Sequence, residues 1–139
     1  MDRPPRNPLA RPLVLIIEED EGTRAMYALA LSAMGFNVVA AQDDAEAYRR
    51  ARVVHPDIIV MDLPTPNPDG WQFLQDLKQN PRTREIPIVA VSDYAERSLR
   101  QRAEHHGFAA VFLKPCLPFE LTAGLRQVLD EKVPAHVEP

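Results

Sequence analysis

Five short apolar runs recur along the chain, and each breaks off in polar or charged residues: Leu13–Ile17, Val38–Ala41, Ile58–Met61, Ile88–Val91 and Ala110–Leu113. Unbroken runs of this length, rich in β-branched residues, predict strands buried on both faces. Between them the apolar positions switch to helical spacing. A first helix is expected from about Gly22 to Met34, with Met26, Leu29, Ala30 and Ala33 on its inner face and Gly35 ending it in a left-handed conformation. Asp43 and Glu46 form a capping arrangement ahead of a second helix, whose inner face is Ala47, Ala51 and Val54 and which Pro56 stops. Trp71, Phe73, Leu74 and Leu77 predict a third helix ending near Asn80-Pro81. Residues 95–106 predict a fourth, with a thin apolar face of Leu99 and Ala103, ended by Gly107. A last helix opens near Pro118 and is lined by Leu121, Leu125, Val128 and Leu129.

Strand and helix alternate at a spacing of about 20–30 residues, the size of a βα unit. Helices joining buried parallel strands must cover both faces of the sheet, so the fold class is α/β, a doubly wound (βα)5 sandwich on a parallel five-stranded sheet. Right-handed crossovers leave only a few strand orders. The organised segment is residues 13–130. Residues 1–12, with Pro4, Pro5, Pro8, Pro12, Arg3, Arg6 and Arg11, predict a disordered arm, either solvated or touching a partner. Residues 131–139 predict a flexible tail.

Bulk properties narrow the function. The length of 139 residues suits one domain. A net charge of −4 argues against a general nucleic-acid footprint. The one cysteine, Cys116, admits no internal disulfide and suits a reducing, cytoplasmic setting. No run reaches membrane-spanning length.

The chemistry lies at the strand ends. The first strand runs into Glu18-Glu19-Asp20-Glu21, the third into Asp62, the fourth into Ser92 and the fifth into Lys114. Parallel strands point these ends the same way, so the groups converge on one crevice. Crowded carboxylates need a cation, and oxygen-only ligands favour a hard one such as Mg2+. A hydroxyl and an ammonium are what a phosphoryl group needs around it. Asp62, on the central run, is the candidate nucleophile.

These residues resemble the receiver domain of two-component response regulators over about residues 13–130. The match rests on the acids after the first strand, Asp62 with Pro66 and Asp69-Gly70 downstream, Ser92, and Lys114-Pro115. The resemblance implies a flavodoxin-like sheet in order 2-1-3-4-5. It implies that Asp62 accepts a phosphoryl group from a sensor histidine kinase or a histidine phosphotransfer protein. It implies that Glu18, Glu19, Asp62 and the carbonyl of Pro64 hold Mg2+, that Lys114 pairs with the phosphoryl oxygens before a cis bond to Pro115, and that Ser92 moves in to bond the phosphoryl group. The moved surface would then reach a downstream protein, with a homodimer left open; no membrane or nucleic acid is expected as a direct partner.

Two positions depart from the family pattern. Glu19 stands where an aspartate is usual, and its extra methylene carries the carboxylate about 1–1.5 Å farther out, which an octahedral Mg2+ tolerates badly. A one-residue slip would make the pair Glu19-Asp20; the Glu18-Glu19 register follows the apolar run directly and leaves Arg24 at a familiar helix position. Val111 stands where many receivers carry an aromatic switch, and Phe112 faces the other side of its strand. These departures keep a second reading open, a degenerate receiver that binds partners without phosphorylation. A phosphatase would want an acid where Pro64 stands. A flavodoxin would want a phosphate loop where four acids stand.

Overall fold

The computed structural model describes residues 10–63, 68–92, 107–114 and 116–131, with backbone alone for residue 63 and residues 68–71. Its elements in order are β1 (Leu13–Ile17), α1 (Glu21–Ala33), β2 (Asn37–Ala41), α2 (Asp44–Val54), β3 (Ile58–Leu63), α3 (Pro68–Gln79), β4 (Ile88–Ser92), β5 (Ala110–Leu113) and a last helix, α4 (Pro118–Glu131). The helix expected over 95–106 lies outside the described residues, as do Pro64, Pro66 and Pro115.

The five strands form one sheet in the order β2-β1-β3-β4-β5, every neighbouring pair parallel. Side chains alternate between its two faces. Leu15, Ile17, Ile59, Met61, Ile88 and Ala90 pack with Ala47 and Ala51 of α2 and Phe73, Leu74 and Leu77 of α3. Val14, Ile16, Ile58, Val60, Val89 and Val91 pack on the opposite face with Leu31 of α1 and Leu121, Leu125, Val128 and Leu129 of α4. A strand with both faces covered has no polar side, which is why the runs read as continuously apolar.

Local signals act as the sequence predicts at several ends. Asp43 caps α2, accepting from the Glu46 N–H at 2.8 Å, while the Glu46 carboxylate accepts from Gln42 N at 2.8 Å. Gly35 ends α1 with φ of 102°, a value open to glycine and costly to other residues; Gly107 has φ of 111°, but the helix it was expected to end lies outside the described residues. His55 also adopts a left-handed conformation, φ 50°, to turn the chain from α2 toward Pro56 and β3. Arg11 donates to the Ser32 carbonyl and Pro12 is buried, its carbonyl accepting from Asn37 N at 2.8 Å, so these two residues of the predicted arm are fastened to the fold.

The rotation of α1 corrects the sequence reading. Met26 is 50% exposed and Leu29 74%, so the row chosen as the inner face looks outward. The inward row is Arg24, Tyr27, Ala28 and Leu31. Asp20 fixes where the helix starts: its carboxylate accepts from Thr23 N and Thr23 Oγ1, both at 2.8 Å. Arg24 then reaches back to the carbonyls of Glu18 at 2.8 Å and Glu19 at 3.3 Å. The two rows have the same spacing; the cap fixes the start of the helix, and packing of Leu31 in the α1–α4 core decides which row faces in.

Candidate functional site

The strand register brings the site together. Ile17 is level with Met61, so Glu18 and Asp62 follow at the same height on neighbouring strands. Ser92 is level with Leu113, and the next residue, Lys114, donates its N–H to the Ser92 carbonyl at 2.8 Å. Parity then decides which side chains meet. Asp62 continues the row of Ile58 and Val60, Glu18 that of Val14 and Ile16, and Lys114 that of Ala110 and Phe112. All three rows belong to the face packed against α1 and α4.

At the centre, Lys114 Nζ is ion-paired with Asp62 Oδ1. That oxygen is buried, and among the described residues no donor meets it in hydrogen-bond geometry, so charge holds the pair. Glu18 is 7% exposed, and its Oε2 accepts from Asp20 N at 2.9 Å. Burial holds the Glu18 carboxyl above its ordinary range; the Asp20 N–H bond draws it back, nearby Asp62 raises it again, and Lys114 lowers it. Ser92 is fully buried at the end of β4, level with Leu63 and on the row of Ile88 and Ala90, which faces α2 and α3.

Of the residues singled out from the sequence, Glu18, Asp62, Ser92 and Lys114 occupy adjoining strand ends. Glu18 is still held by the sheet, its N–H donating to Ala41 O at 3.1 Å, whereas Glu19 has left the ladder and is exposed. Asp20 is spent on the α1 cap, so the slipped pair would take a carboxylate already bonded to Thr23. Pro64 and Pro115 lie outside the described residues. Among the described residues no group of three or more Asp, Glu, His or Cys converges closely enough to hold a metal ion. The donors that do converge, two carboxylates of which one keeps a buried oxygen without a hydrogen-bond donor, nevertheless suit Mg2+, which commonly takes one or two carboxylates and keeps several waters.

Sequence reasoning passed over Tyr27. Its ring packs on the α1–α4 face of the core, beside the elements that carry the site. Burial raises its phenol above the ordinary range, and the charges that also act on it belong to Cys116, Lys114, Asp62 and Glu18. Its place about two turns after the acids, three residues beyond Arg24, was the signal available. On the other face Val111 packs toward α2 and α3, and the Phe112 ring lies against Gly124 of α4, as strand alternation predicts.

Comparison with known proteins agrees with this arrangement. The family model for the response regulator receiver domain matches residues 14–126. The phosphate regulon transcriptional regulatory protein PhoB of Escherichia coli (strain K12) is 32% identical over 125 residues, covering 90% of this chain and 55% of PhoB. This chain thus spans about half the length of that relative. The polar-differentiation response regulator DivK of Brucella ovis is 30% identical over 102 residues, covering 73% of this chain and 83% of DivK. Among solved structures, a response regulator from Desulfuromonas acetoxidans superposes with a TM-score of 0.77 at 27% identity, covering 86% of this chain and 97% of that one. The chemotaxis response regulator CheY4 of Vibrio cholerae has the same fold, with a TM-score of 0.77 at 24% identity over 86% of this chain and 99% of its own. With the strand order, the matched length and both kinds of relative in agreement, this chain belongs to the response regulator receiver family, the phosphoacceptor signalling domains of two-component systems.

Proposed function

We propose that Asp62 is the phosphoacceptor and that the folded receiver of residues 13–130 signals by a change that starts at Asp62. The observation that carries this reading is the Asp62–Lys114 ion pair beside buried Glu18. An aspartate at the carboxyl end of the central strand is open to the crevice, and a lysine from β5 is already placed against it. In the transfer, an Asp62 carboxylate oxygen forms the new P–O bond as the P–N bond of a phosphohistidine breaks, and the imidazole leaves with the electron pair and takes up a proton. Lys114 then moves its charge from the carboxylate to the phosphoryl oxygens. Ser92, level with Leu63 and so one residue beyond Asp62, supplies a hydroxyl from the end of β4.

Glu18 and Asp62 are the side chains that would hold Mg2+, with the carbonyl of Pro64; Glu19, exposed, would act through water. The ion would offset the negative charge of the incoming phosphoryl group. In this role the domain promotes its own phosphorylation and dephosphorylation, which is the extent of its catalysis. The phosphodonor is a sensor histidine kinase or a histidine phosphotransfer protein in the cytoplasm, and the output is a protein target or a second copy of the chain. Among the described residues no helix is long and apolar enough to cross a membrane.

Mass spectrometry after acetyl phosphate or kinase treatment with Mg2+ tests the reading. One phosphoryl mass should add to the wild type and none to Asp62→Asn. No adduct from either donor would overturn it and favour the phosphorylation-independent module.

A further inference from the structure

We propose that the Tyr27 hydroxyl is an additional hydrogen-bond donor to the phosphoryl group at Asp62, supplied by α1 rather than by a strand end. This inference rests on the phosphoacceptor reading of the crevice.

Three observations place the phenol there. Tyr27 lies on the inward row of α1, a helix started by the Asp20 cap and tied by Arg24 to the carbonyls of Glu18 and Glu19. Its ring packs in the α1–α4 layer, and Cys116, two residues past Lys114, packs in the same layer. Asp62, Glu18 and Lys114 all continue sheet rows that face that layer, so Tyr27 packs on the side of the sheet toward which these groups point. The charges acting on the phenol are those of Cys116, Lys114, Asp62 and Glu18, which agrees with this placement.

The hydroxyl is also available. Among the described residues no hydrogen bond involves the Tyr27 hydroxyl, and it is not among the fully buried polar atoms left unsatisfied. A tyrosine pairs an apolar ring, here partly buried, with a polar hydroxyl that takes a hydrogen-bond partner. A phenol is protonated at neutral pH, and burial raises this one further, so it meets an anion as a donor. Lys114 brings charge to the phosphoryl oxygens and Ser92 a hydroxyl from the β4 side; Tyr27 would bring a neutral donor from the opposite layer.

Tyr27→Phe keeps the ring and removes only the hydroxyl, so it separates donation from packing. The probe is beryllium fluoride with Mg2+, a non-covalent phosphoryl mimic, followed by the fluorescence of the single tryptophan, Trp71. A hydrogen bond to an anion corresponds to about a 10- to 100-fold weaker affinity for the mimic in Tyr27→Phe. Affinity for Mg2+ alone and the melting temperature should match the wild type. Equal affinity of Tyr27→Phe and wild type for the mimic would overturn the inference, as would weaker binding that follows a loss of Mg2+ affinity or of thermal stability. Mimic binding that is weakened by Tyr27→Phe, in a wild type that takes no phosphoryl group from any donor, would keep the Tyr27 contact and remove phosphotransfer. A wild type that binds neither the mimic nor a phosphoryl group would remove both.

Discussion

Lys114 is ion-paired with Asp62 across a strand that neither belongs to. β3 and β5 are both neighbours of β4, and the Lys114 N–H is bonded to the carbonyl of Ser92 at the end of β4. The ammonium therefore starts from a backbone anchored to the middle strand and spans it to reach the carboxylate. Any shift at the end of β4 is carried to Lys114 through that bond, a mechanical link from Ser92 to the Asp62–Lys114 pair.

The pair should show coupling in a double-mutant cycle. The two side chains are 26% and 19% exposed, between a surface pair and a buried one. Lys114→Met leaves Asp62 Oδ1 buried without its cation and should cost about 1–3 kcal/mol by urea denaturation. Adding Asp62→Asn should recover most of that loss. Additive costs would mean that the pair contributes nothing to the free protein.

Glu18 and Asp20 should give opposite pH dependences. Burial raises Glu18 in the fold, so its contribution to stability is full below its ordinary value of 4.5 and is lost as pH rises through its folded value. Hydrogen bonds from Thr23 lower Asp20, so its contribution is present above 3.8 and is lost as pH falls through its folded value. In thermal melts without metal, Glu18→Gln should raise the melting temperature at neutral pH and flatten the decline above the ordinary glutamate range. Asp20→Asn, which preserves the cap, should flatten only the acid limb. Glu18→Gln should also weaken Mg2+ binding by about tenfold or more, read by Trp71 fluorescence.

Two glycine-to-alanine changes should differ in sign. Gly22 lies in the first turn of α1, and an added Cβ would meet Asp20 Oδ2 at 3.5 Å, an ordinary contact. Gly22→Ala should stabilise by about 0.4–1 kcal/mol, chiefly by restricting the unfolded chain. Gly124 lies inside α4, where the same change would place Cβ 2.4 Å from the Phe112 ring. That ring is packed in the α1–α4 core, so Gly124→Ala should destabilise by about 1–3 kcal/mol. Phe112→Leu in the Gly124→Ala background should restore part of the loss.

Arg126 ties α4 to the turn between α1 and β2. Its guanidinium stacks 4.5 Å from the Phe36 ring centroid and donates to Met34 O at 2.8 Å. Arg126→Ala should cost about 1–2 kcal/mol. Arg126→Lys should recover little, because an ammonium does not reproduce a planar stack with a directed bond. Urea denaturation of both variants measures this.

Much of the protein is legible in its residues because the relevant physics is local. A run of apolar residues of strand length has few ways to be buried, so Leu13–Ile17 and Ile58–Met61 announce a sheet covered on both sides. Asp43 with Glu46, and Gly35 with its positive φ, act on backbone within a turn of themselves. A carboxylate or lysine directly after such a run must stand at the sheet's carboxyl edge, which is why Asp62, Ser92 and Lys114 could be named in advance.

Tertiary structure alone decided the choices between equivalents. The outward row of α1, with Met26 and Leu29, has the same helical period as the inward row with Tyr27 and Leu31, and packing of Leu31 among residues of β1 and α4 decides which row faces in. Glu18 and Glu19 are the same residue chemically. The alignment of Ile17 with Met61 and the two-residue alternation of β1 put Glu18 beside Asp62 and left Glu19 outside. Local sequence records which groups reach the edge of the sheet; register and helix rotation, which depend on residues far along the chain, record which of them meet.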